Sequence, residues 1–428
     1  MNVGIVGAGI AGLAAAYDLA RAGHSVTVFE AAGTAGGLAS GFRDPSWDWA
    51  LERFYHHIFQ SDTAIRNLAR EIGFGDKVFF RRPITAQWYK GSAYPIDGVR
   101  GILSFPGMPL LDRLRFGLVA AYLKYGTSNW AKLEQTTAQE WAYRWSGKRA
   151  YQAVWQPLLE GKFGAYAPEV NMAWLWARLR ARSFELGYFV GGFQGFVDAL
   201  VEAVRRENVT LLFNSPAQGL ERSGEGWKLR AGDVEWDLDR LIVTGAPRLL
   251  SRLAPGLPAS YLAQLERLRS LGAVVLTIAL KHQLTKGLYW TQGMPKTEFP
   301  FLALVEHTNF IEPEHYGGDH LIYVGDYLPP EHEYFRLTKE ELLARVTPAL
   351  SRFNPRFRPD WIRDSWLHRE PYAQPVVGLN HSKRIPPIAT PLPGIYWASM
   401  SQVYPWDRGT NYAVELGQRA AQEVLKDP

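Results

Sequence analysis

A glycine-rich segment near the start of the chain carries the clearest chemistry in the sequence. The segment Gly7-Ala8-Gly9-Ile10-Ala11-Gly12 follows a short uncharged apolar run, which predicts a buried strand, and precedes residues 13–21, which predict a helix. Gly7 permits a tight turn, Gly9 lets backbone approach a diphosphate, and Gly12 lets the helix lie close to the strand. The unpaired N–H groups of the first helical turn attract phosphate oxygens. These features predict a dinucleotide site.

The residues after this segment indicate which dinucleotide it binds. Residues 25–29 predict a second strand, and Glu30 at its end lies 18 residues after Gly12, where a carboxylate can accept hydrogen bonds from ribose hydroxyls. The pair Gly36-Gly37 follows in the same loop and is not part of a plain nicotinamide fingerprint. The stretch resembles the FAD-binding fingerprint of the flavin-containing amine oxidase superfamily, which includes protoporphyrinogen oxidases, phytoene desaturases and amine oxidases. The resemblance favours FAD over NAD.

The middle of the chain continues the resemblance. Gly191-Gly192 opens a predicted helix with one apolar face, and a helix of this type marks the return to the FAD domain in the superfamily. A strand close behind it touches adenine in the family, and residues 211–217 are predicted to be that strand here. Thr244-Gly245 resembles the family loop that closes over the adenosine.

The end of the chain resembles the family ending. Residues 394–398 predict a strand, 399–409 a polar, aromatic loop and 410–425 a helix. In the family this helix points its N-terminus at the N1–C2 edge of the flavin, where the helix dipole stabilises negative charge. We expect Thr410 or Asn411 to cap the helix. Arg408 and Asp407 are expected either to pair with each other or to contact the flavin diphosphate or the substrate.

One departure from the family pattern concerns the second glycine pair. The family usually has an arginine just before it, and here Thr34 and Ala35 occupy that place. The motif and the resemblance together predict the following cofactor-binding residues: Gly7, Gly9, Ile10, Ala11, Gly12, Glu30, Ala31, Gly36, Gly37, Leu38, Ala217, Thr244, Gly245, Arg408, Gly409, Thr410 and Asn411.

Four residues are predicted to take part in catalysis. His56-His57-Ile58-Phe59 resembles the superfamily turn that passes over the flavin ring, and also the His-Ile-Phe segment of UDP-galactopyranose mutases. Either one imidazole lies at the isoalloxazine, or one histidine is packed and the other solvated. Residues 368–375 resemble the family strand that crosses near the flavin, which makes Tyr372 and Gln374 candidate cavity residues.

Residues 81–188 differ in composition from both ends of the chain. Trp, Tyr and Arg dominate, and several amphipathic helices are predicted. The region looks like a helical insertion, which in protoporphyrinogen oxidases meets the membrane and walls the substrate tunnel. Trp174, Trp176 and the arginines at 178, 180 and 182 are predicted to lie on one helix. We expect the tryptophans to face the core and the arginines to face solvent. A surface for nucleic acid or lipid phosphates is the alternative.

The predicted fold is α/β, with a discontinuous Rossmann-like FAD-binding domain, a mixed-sheet substrate domain and a helical insertion. The predicted boundaries are 1–75 for the first part of the FAD-binding domain, 76–190 for the helical insertion, 191–255 for the second FAD-binding part, 256–388 for the β-sheet substrate domain and 389–428 for the third FAD-binding part.

Composition restricts the function classes. The 428 residues are 47% hydrophobic with a net charge of +5 spread along the chain, which disfavours nucleic-acid binding. There is no cysteine, which excludes disulfides and cysteinyl metal sites. No helical metal spacing joins His307, His315 and His320, so we predict no metal site. No apolar run reaches membrane-spanning length, so we expect a cytoplasmic protein. Peripheral association with the inner face of the membrane is the alternative.

The leading functional hypothesis is an FAD-dependent oxidase or desaturase that takes hydride from a hydrophobic substrate such as an isoprenoid or a tetrapyrrole. The first alternative is a flavin-dependent mutase of sugar nucleotides, in which Arg178, Arg182 or Arg369 would bind the substrate diphosphate. The second is a flavin-binding protein without turnover. Substrate, electron acceptor, covalent or non-covalent flavin attachment and oligomeric state are not determined by the sequence.

Overall fold

The structure is a computed structural model, and it describes residues 1–427. The strands, numbered in chain order, are β1 (Asn2–Val6), β2 (Ser25–Phe29), β3 (Gly41–Phe42), β4 (Leu51–Glu52), β5 (Ile58–Phe59), β6 (Val78–Arg81), β7 (Ile84–Tyr89), β8 (Ser92–Pro95), β9 (Leu186–Phe189), β10 (Thr210–Leu212), β11 (Ala217–Ser223), β12 (Gly226–Ala231), β13 (Val234–Leu238), β14 (Arg240–Val243), β15 (Ser270–Leu280), β16 (Leu288–Gln292), β17 (Ala303–Glu306), β18 (His320–Leu328), β19 (Ile362–Pro375) and β20 (Ile395–Trp397). The α-helices are α1 (Ile10–Arg21), α2 (Thr63–Glu71), α3 (Val99–Ser104), α4 (Leu110–Ala121), α5 (Trp130–Leu133), α6 (Ala138–Ser146), α7 (Lys148–Ala150), α8 (Gln156–Phe163), α9 (Met172–Ala181), α10 (Gly192–Arg206), α11 (Pro247–Leu253), α12 (Ala259–Glu266), α13 (Lys339–Leu350) and α14 (Thr410–Lys426).

A five-stranded parallel sheet joins the two ends and the middle of the chain. Its strand order is β10-β2-β1-β14-β20. The central strand β1 is buried from its second residue onward, as its uninterrupted apolar sequence predicts for a parallel sheet covered on both faces. Because all five strands run the same way, their carboxyl ends lie at one edge, where ligands of such sheets bind.

Two glycines allow the helices of this domain to approach closely. A Cβ on Gly12 in α1 would lie 2.0 Å from the carbonyl oxygen of Gly7, and a Cβ on Gly417 in α14 would lie 2.1 Å from that of Ala11. Only a residue without a side chain fits at either position. The two glycines therefore fix α1 against the strand before it and α14 against α1.

A mixed seven-stranded sheet forms the second large unit, in the order β19-β15-β18-β17-β16-β7-β8. The strand β15, next to the edge strand β19, is buried along almost its whole length, and α13 packs on the sheet. The pair β16–β7 is parallel and its other neighbouring pairs are antiparallel. The strands β7 and β8 come from the segment expected to be a helical insertion, so that segment is not purely helical.

Helices α3 to α9 form a layer with its own apolar core. The outer face of this layer leaves several large side chains exposed, including Leu111 at 79% and Leu118 at 73%. None of the helices within residues 1–427 combines the length and the apolarity that a bilayer crossing requires.

The prediction of one strand over residues 211–217 is wrong. The strand β10 ends at Leu212 in the parallel sheet, and Ala217 begins β11 in a separate three-stranded sheet. Asn214 between them has a φ of 52°, in the left-handed region, which turns the chain from one sheet to the other.

Candidate active site

One continuous cavity of about 530 Å³ runs from the carboxyl edge of the parallel sheet into the space between the mixed sheet and the helical layer. One end is lined by the glycine-rich turn between β1 and α1, together with Glu30 and the loop that holds Gly36 and Gly37. The other end is lined by side chains of β16, β18, α8 and α9. We call the first end the cradle and the second end the chamber.

Backbone groups rather than side chains form the cradle. Gly9 is the N-cap residue of α1, and the loop glycine Gly36 pairs with it in an isolated bridge. Gly7, Gly36 and Gly37 have φ values of 107°, 116° and 57°, which L-residues with side chains rarely adopt. A Cβ on Gly9 would point into the narrow gap towards Gly37, 4.0 Å from its Cα. The gap and the free N–H groups of the α1 terminus fit a diphosphate.

Glu30 lies at the edge of the cradle and is held by two backbone donors. Its Oε2 accepts from the Ala8 N–H at 2.7 Å and its Oε1 from the Ala32 N–H at 2.8 Å. These bonds fix the carboxylate at the carboxyl end of β2, on the cavity surface. Its hydrogen bonding to a ribose stays a prediction.

The N-terminus of α14 also faces the cavity. Gly409 is the N-cap residue, so the prediction that Thr410 or Asn411 caps this helix is wrong. Asn411 is buried and instead accepts from the Ile65 N–H at 3.1 Å and donates to Glu415 at 2.8 Å, which ties α14 to α2. Arg408, Gly409 and Thr410 line the cavity.

Most of the predicted cofactor-binding residues line the cavity, including Ile10, Ala11, Leu38, Thr244 and Gly245. Four predicted residues lie elsewhere in the described chain: Gly12, Ala31, Ala217 and Asn411. Gly12 is buried below the turn, where it serves packing, and Ala31 is exposed. Ala217 is buried in β11, because the chain leaves the parallel sheet before reaching it.

Both histidines of the 56–59 segment line the cavity, so the expectation that one of them is solvated is wrong. Burial lowers the pKa of His56 to about 4 and that of His57 to about 3, and Arg182, His56 and Arg178 add to the effect on His57. Both imidazoles are therefore neutral at physiological pH. His56 Nδ1 donates to the carbonyl of Phe54, whereas His57 Nδ1 is buried without a partner among residues 1–427.

Of the two predicted residues in β19, one reaches the cavity. Tyr372 lines it, and its hydroxyl bonds to Ser399 Oγ at 2.8 Å and Ser401 Oγ at 2.6 Å. Gln374 is 1% exposed and donates to the carbonyl of Pro375 at 3.0 Å. Gln374 lies outside the cavity lining. In a regular strand, side chains two residues apart share one face, but the register of β19 shifts between Glu370 and Gln374, so Gln374 does not share the face of Tyr372.

The chamber holds a group of cations that sequence reasoning did not bring together. Lys162 on α8 and Arg178 on α9 contact Asp407 Oδ2 at 2.8 and 3.5 Å. Asp407 therefore pairs with Lys162 rather than with the Arg408 side chain, which donates to the carbonyl of Ala373 and to the Tyr327 hydroxyl. We call Lys162, Arg178, Arg182, Arg408 and Asp407 the cationic cluster.

The expected solvated arginine face of α9 is correct only for Arg180, which is exposed. Arg178 and Arg182 are one turn apart, and both line the cavity with Ala177 and Ala181. Their spacing could have suggested a shared face. Nothing in the sequence around Lys162 signals its position, which depends on how α8 packs. Arg369 donates to the carbonyl of Tyr334 at 2.9 Å and lies outside the cavity lining.

The charges of the cluster perturb one another. Burial lowers the pKa of Lys162 to about 7, and Arg178 and Arg408 add to this shift while Asp407 opposes it. Burial, followed by Arg178, lowers the pKa of Arg182 to about 10. Burial opposes ionisation of Asp407, but Lys162, Arg408 and Arg178 together hold its pKa well below the usual range. Asp407 is therefore ionised, and burial makes Lys162 easier to deprotonate than a lysine in water.

The candidate metal ligands stay apart. Within residues 1–427, no group of three or more His, Asp or Glu side chains is arranged to hold a metal ion. His307 is buried against the Tyr316 hydroxyl at 2.8 Å, and His315 stacks on Trp49.

Comparison with known sequences shows what the chain is similar to. Residues 10–425 match the family model of flavin-containing amine oxidoreductases. A 15-cis-phytoene desaturase of Synechococcus elongatus is 31% identical over 156 residues, which cover 33% of this chain and 32% of that protein. A hydroxysqualene dehydroxylase of Sinorhizobium fredii is 42% identical over 72 residues, which cover 17% of each chain. The chain thus spans about a third or less of the length of these curated relatives.

Solved structures match over the whole chain. A protein assigned as a protoporphyrinogen oxidase, from Exiguobacterium sp. 255-15, superposes with a TM-score of 0.79 at 18% identity, covering 100% of this chain and 99% of that one. A reduced UDP-galactopyranose mutase superposes with a TM-score of 0.74 at 17% identity, covering 99% of this chain and 94% of that one. These similarities confirm the predicted fold class.

Proposed function

The chain belongs to the flavin-containing amine oxidoreductases, and within this class of FAD-dependent oxidoreductases we propose that it oxidises a hydrophobic small molecule, as an oxidase or a desaturase. The observation that carries the proposal is the continuity of the cavity, in which a chamber with apolar and aromatic walls beside the cationic cluster opens directly from the diphosphate cradle. Leu158, Leu186, Trp290 and Leu302 contribute to its walls. The similarity to a 15-cis-phytoene desaturase and to a hydroxysqualene dehydroxylase also supports an apolar substrate.

The residues of the chain have separate roles in this proposal. Bound FAD supplies the hydride acceptor. The cradle glycines and Glu30 hold the dinucleotide, and the N-terminus of α14 offers a positive dipole end at the cavity. The neutral His57 shapes the chamber without adding charge, and Tyr372 is held by two serines in a fixed orientation. The apolar walls exclude water from the reacting atoms.

An anaerobic flavin spectrum tests the proposal. The visible bands of the purified holoprotein are recorded before and after addition of apolar extract from host lipids. We expect bleaching by the extract and no bleaching by an aqueous extract of polar metabolites. A holoprotein whose spectrum is unchanged by every apolar fraction would contradict the proposal.

Sugar-nucleotide isomerisation is the second candidate, and one observation favours it. Arg178 and Arg182 both reach the cavity and could bind a diphosphate. Isomerisation of UDP-galactopyranose after dithionite reduction, without bleaching by lipid, would support this candidate over the oxidase. The family description disfavours the third alternative of a flavin protein without turnover.

We also propose that the helical layer rests on a lipid surface from which an apolar substrate enters. The exposed side chains Leu110, Leu111, Leu114 and Leu118 lie along one helix, α4, and Arg115 on the same helix is also exposed. The variant Leu111→Glu/Leu118→Glu should lose flotation with anionic vesicles that the native protein retains. Equal flotation of both proteins would contradict the contact.

A further inference from the structure

We infer that the chamber contains a binding subsite for an oxyanion, a carboxylate or phosphate group at one end of an otherwise apolar substrate. The subsite consists of Arg178, Arg182 and Lys162, with Trp290 and His57 beside them. The subsite rests on the proposed function in one respect, namely that the bound anion belongs to the substrate that is oxidised.

Two helices place the cations on one wall of the chamber. Arg178 lies in α9, and Arg182 follows directly after the end of that helix, in extended backbone. Lys162 projects from α8 with its side chain 8% exposed. The Arg178 side chain is 20% exposed. Arg180, between the two cavity arginines, is exposed and donates to the carbonyl of Lys124. The orientation of α9 therefore separates two arginines that face the cavity from one that does not.

The cations outnumber the carboxylates that contact them. Lys162 and Arg178 share Asp407 as their ion-pair partner. Arg182 donates to a neutral group, Thr85 Oγ1, at 3.0 Å. Arg408 donates to neutral oxygens as well, those of Ala373 and Tyr327. The charge of Asp97 also acts on Arg182, and that of Asp407 on Arg408, while Asp326 on the same lining is paired with Lys296. Buried cations with too few counter-ions cost free energy, and a bound anion recovers part of that cost.

Unpartnered polar atoms lie at the same place. Trp290 lines the chamber, and its Nε1 is buried without a hydrogen-bond partner among residues 1–427, as is Nδ1 of His57. Thr85, which binds Arg182, is the register partner of Trp290 on the neighbouring strand. An indole N–H can only donate, so an acceptor atom is the ligand that would satisfy it. Guanidinium, ammonium and indole donors together select an oxyanion.

The subsite is distinct from the diphosphate cradle. The charges of Arg178 and Arg182 act on His57, and the charge of Arg408 acts on His56. The cradle instead offers backbone N–H groups and the carboxylate of Glu30. A ligand whose anion reaches Arg182 would extend its apolar part along Trp290 and Leu302. The ligand class is thus an amphipathic molecule with one anionic end.

Calorimetric titration of the holoprotein with three probes tests the inference. The probes are decanoate, the uncharged decan-1-ol of equal chain length, and inorganic pyrophosphate. We expect decanoate or pyrophosphate to bind. If the subsite takes a carboxylate, decan-1-ol should bind at least about tenfold more weakly than decanoate, because hydrogen bonds to a charged group contribute about this factor to affinity. Pyrophosphate binding alone would assign a phosphate.

Three variants locate the binding. Arg182→Met and Arg178→Met should each weaken anion binding about tenfold or more, and Arg182→Lys should keep part of the affinity because it keeps the charge. Arg180→Met on the same helix is the matched control and should bind as the native protein does. Binding of neither anion, or equal losses in Arg180→Met and Arg182→Met, would overturn the inference.

The outcome is separable from that of the proposed function. Bleaching of the flavin by an uncharged apolar molecule, with no anion binding, would refute the subsite and leave the oxidoreductase proposal standing. Anion binding without bleaching by any apolar fraction would support the subsite and contradict the oxidation of an apolar substrate. The FAD content of each variant, measured first, shows that the holoprotein is intact.

Discussion

The two ends of the cavity are built in different ways. The cradle consists mainly of backbone from two glycine-rich turns, and Gly7, residues 9–11 and residues 36–38 provide most of it. The chamber consists of side chains, and its ion pair between Lys162 and Asp407 joins positions 245 residues apart in the sequence. The cradle has few charged side chains, whereas the chamber contains four cations, of which Lys162 and Arg178 contact the Asp407 carboxylate.

This difference indicates how the two ends can vary. A diphosphate is bound by N–H groups that every residue carries, so the cradle depends on where the backbone can go. The chamber depends on which side chains the helices present, and exchanging them changes the ligand without moving the backbone. Variants should therefore separate cofactor loss from substrate loss, and four predictions test that separation.

Gly12→Val should have the largest effect. The new Cβ would lie 2.0 Å from the Gly7 carbonyl oxygen, so α1 cannot stay on β1. We expect a loss of about 2–4 kcal/mol in unfolding free energy together with loss of FAD, measured by denaturant unfolding and flavin absorbance. Gly117→Ala is the control, because a Cβ there meets open space in helix α4. A stable, fully yellow Gly12→Val protein would contradict the packing argument.

Glu30→Leu should reduce FAD affinity without affecting the chamber. The carboxylate is fixed by the Ala8 and Ala32 N–H groups, and its loss removes an acceptor for the ribose hydroxyls. A decrease in affinity of about 10- to 100-fold is expected for a charged hydrogen bond. Fluorescence titration of the apoprotein with FAD measures it, and the exposed Glu202→Leu serves as control. Unchanged FAD affinity would remove Glu30 from the predicted site.

Lys162→Met should change the pH dependence of anion binding and leave FAD in place. The Lys162 pKa of about 7 means that its positive charge is present below neutral pH and is lost as the pH rises through that value. Its charged neighbours are Asp407, Arg408 and Arg178, and Tyr327 and Trp174 present their rings to it. Native affinity for decanoate should fall several-fold between about pH 6 and pH 8, as one charge is removed.

In Lys162→Met the affinity should be lower at pH 6 and nearly constant across this interval. Calorimetric titrations at four pH values make the comparison, with Lys286→Met as an exposed control. A pH dependence that survives in Lys162→Met would assign it to another group.

Glu52→Gln should have the smallest effect, limited to stability. Glu52 is a buried titratable group like those of the chamber, but its oxygens accept from the Tyr188 hydroxyl and the Phe193 N–H, each at 2.7 Å. Burial raises the pKa of Glu52 to about 7. Between about pH 4.5 and pH 7 the Glu52 carboxyl therefore stays protonated in the folded state and is ionised in the unfolded state. The unfolding free energy of the native protein should therefore decrease as the pH rises through this interval.

Glu52→Gln should remove that pH dependence, with a stability gain on the order of 1 kcal/mol at pH 8. Urea unfolding at pH 5 and pH 8 measures the difference. Equal pH dependence in both proteins would show that Glu52 does not titrate in this range. Because its hydrogen bonds are satisfied internally, Glu52 also shows how a buried carboxyl group with a structural role differs from the Arg182 guanidinium.

The family, the α/β class and the cofactor could be read from the sequence because their signals are local. Gly7, Gly9 and Gly12 lie within one turn and one helix, so their spacing alone determines where backbone can approach a diphosphate. The family membership and the fold class are confirmed by the family match and by the solved structures. His56 and His57, for which the sequence left both a place at the isoalloxazine and a packing role open, both line the cavity.

Only the tertiary structure decided which side chains meet in the chamber. Lys162 and Asp407 are brought together by the packing of α8 against the loop before α14, and no spacing in the sequence relates them. Ala217, Gln374 and Asn411 were misplaced because a turn between sheets, a strand irregularity and a helix contact redirected them. Side-chain chemistry at a site depends on long-range packing, whereas a backbone cradle depends on neighbouring residues, and this is why the cofactor was predictable and the cationic cluster was not.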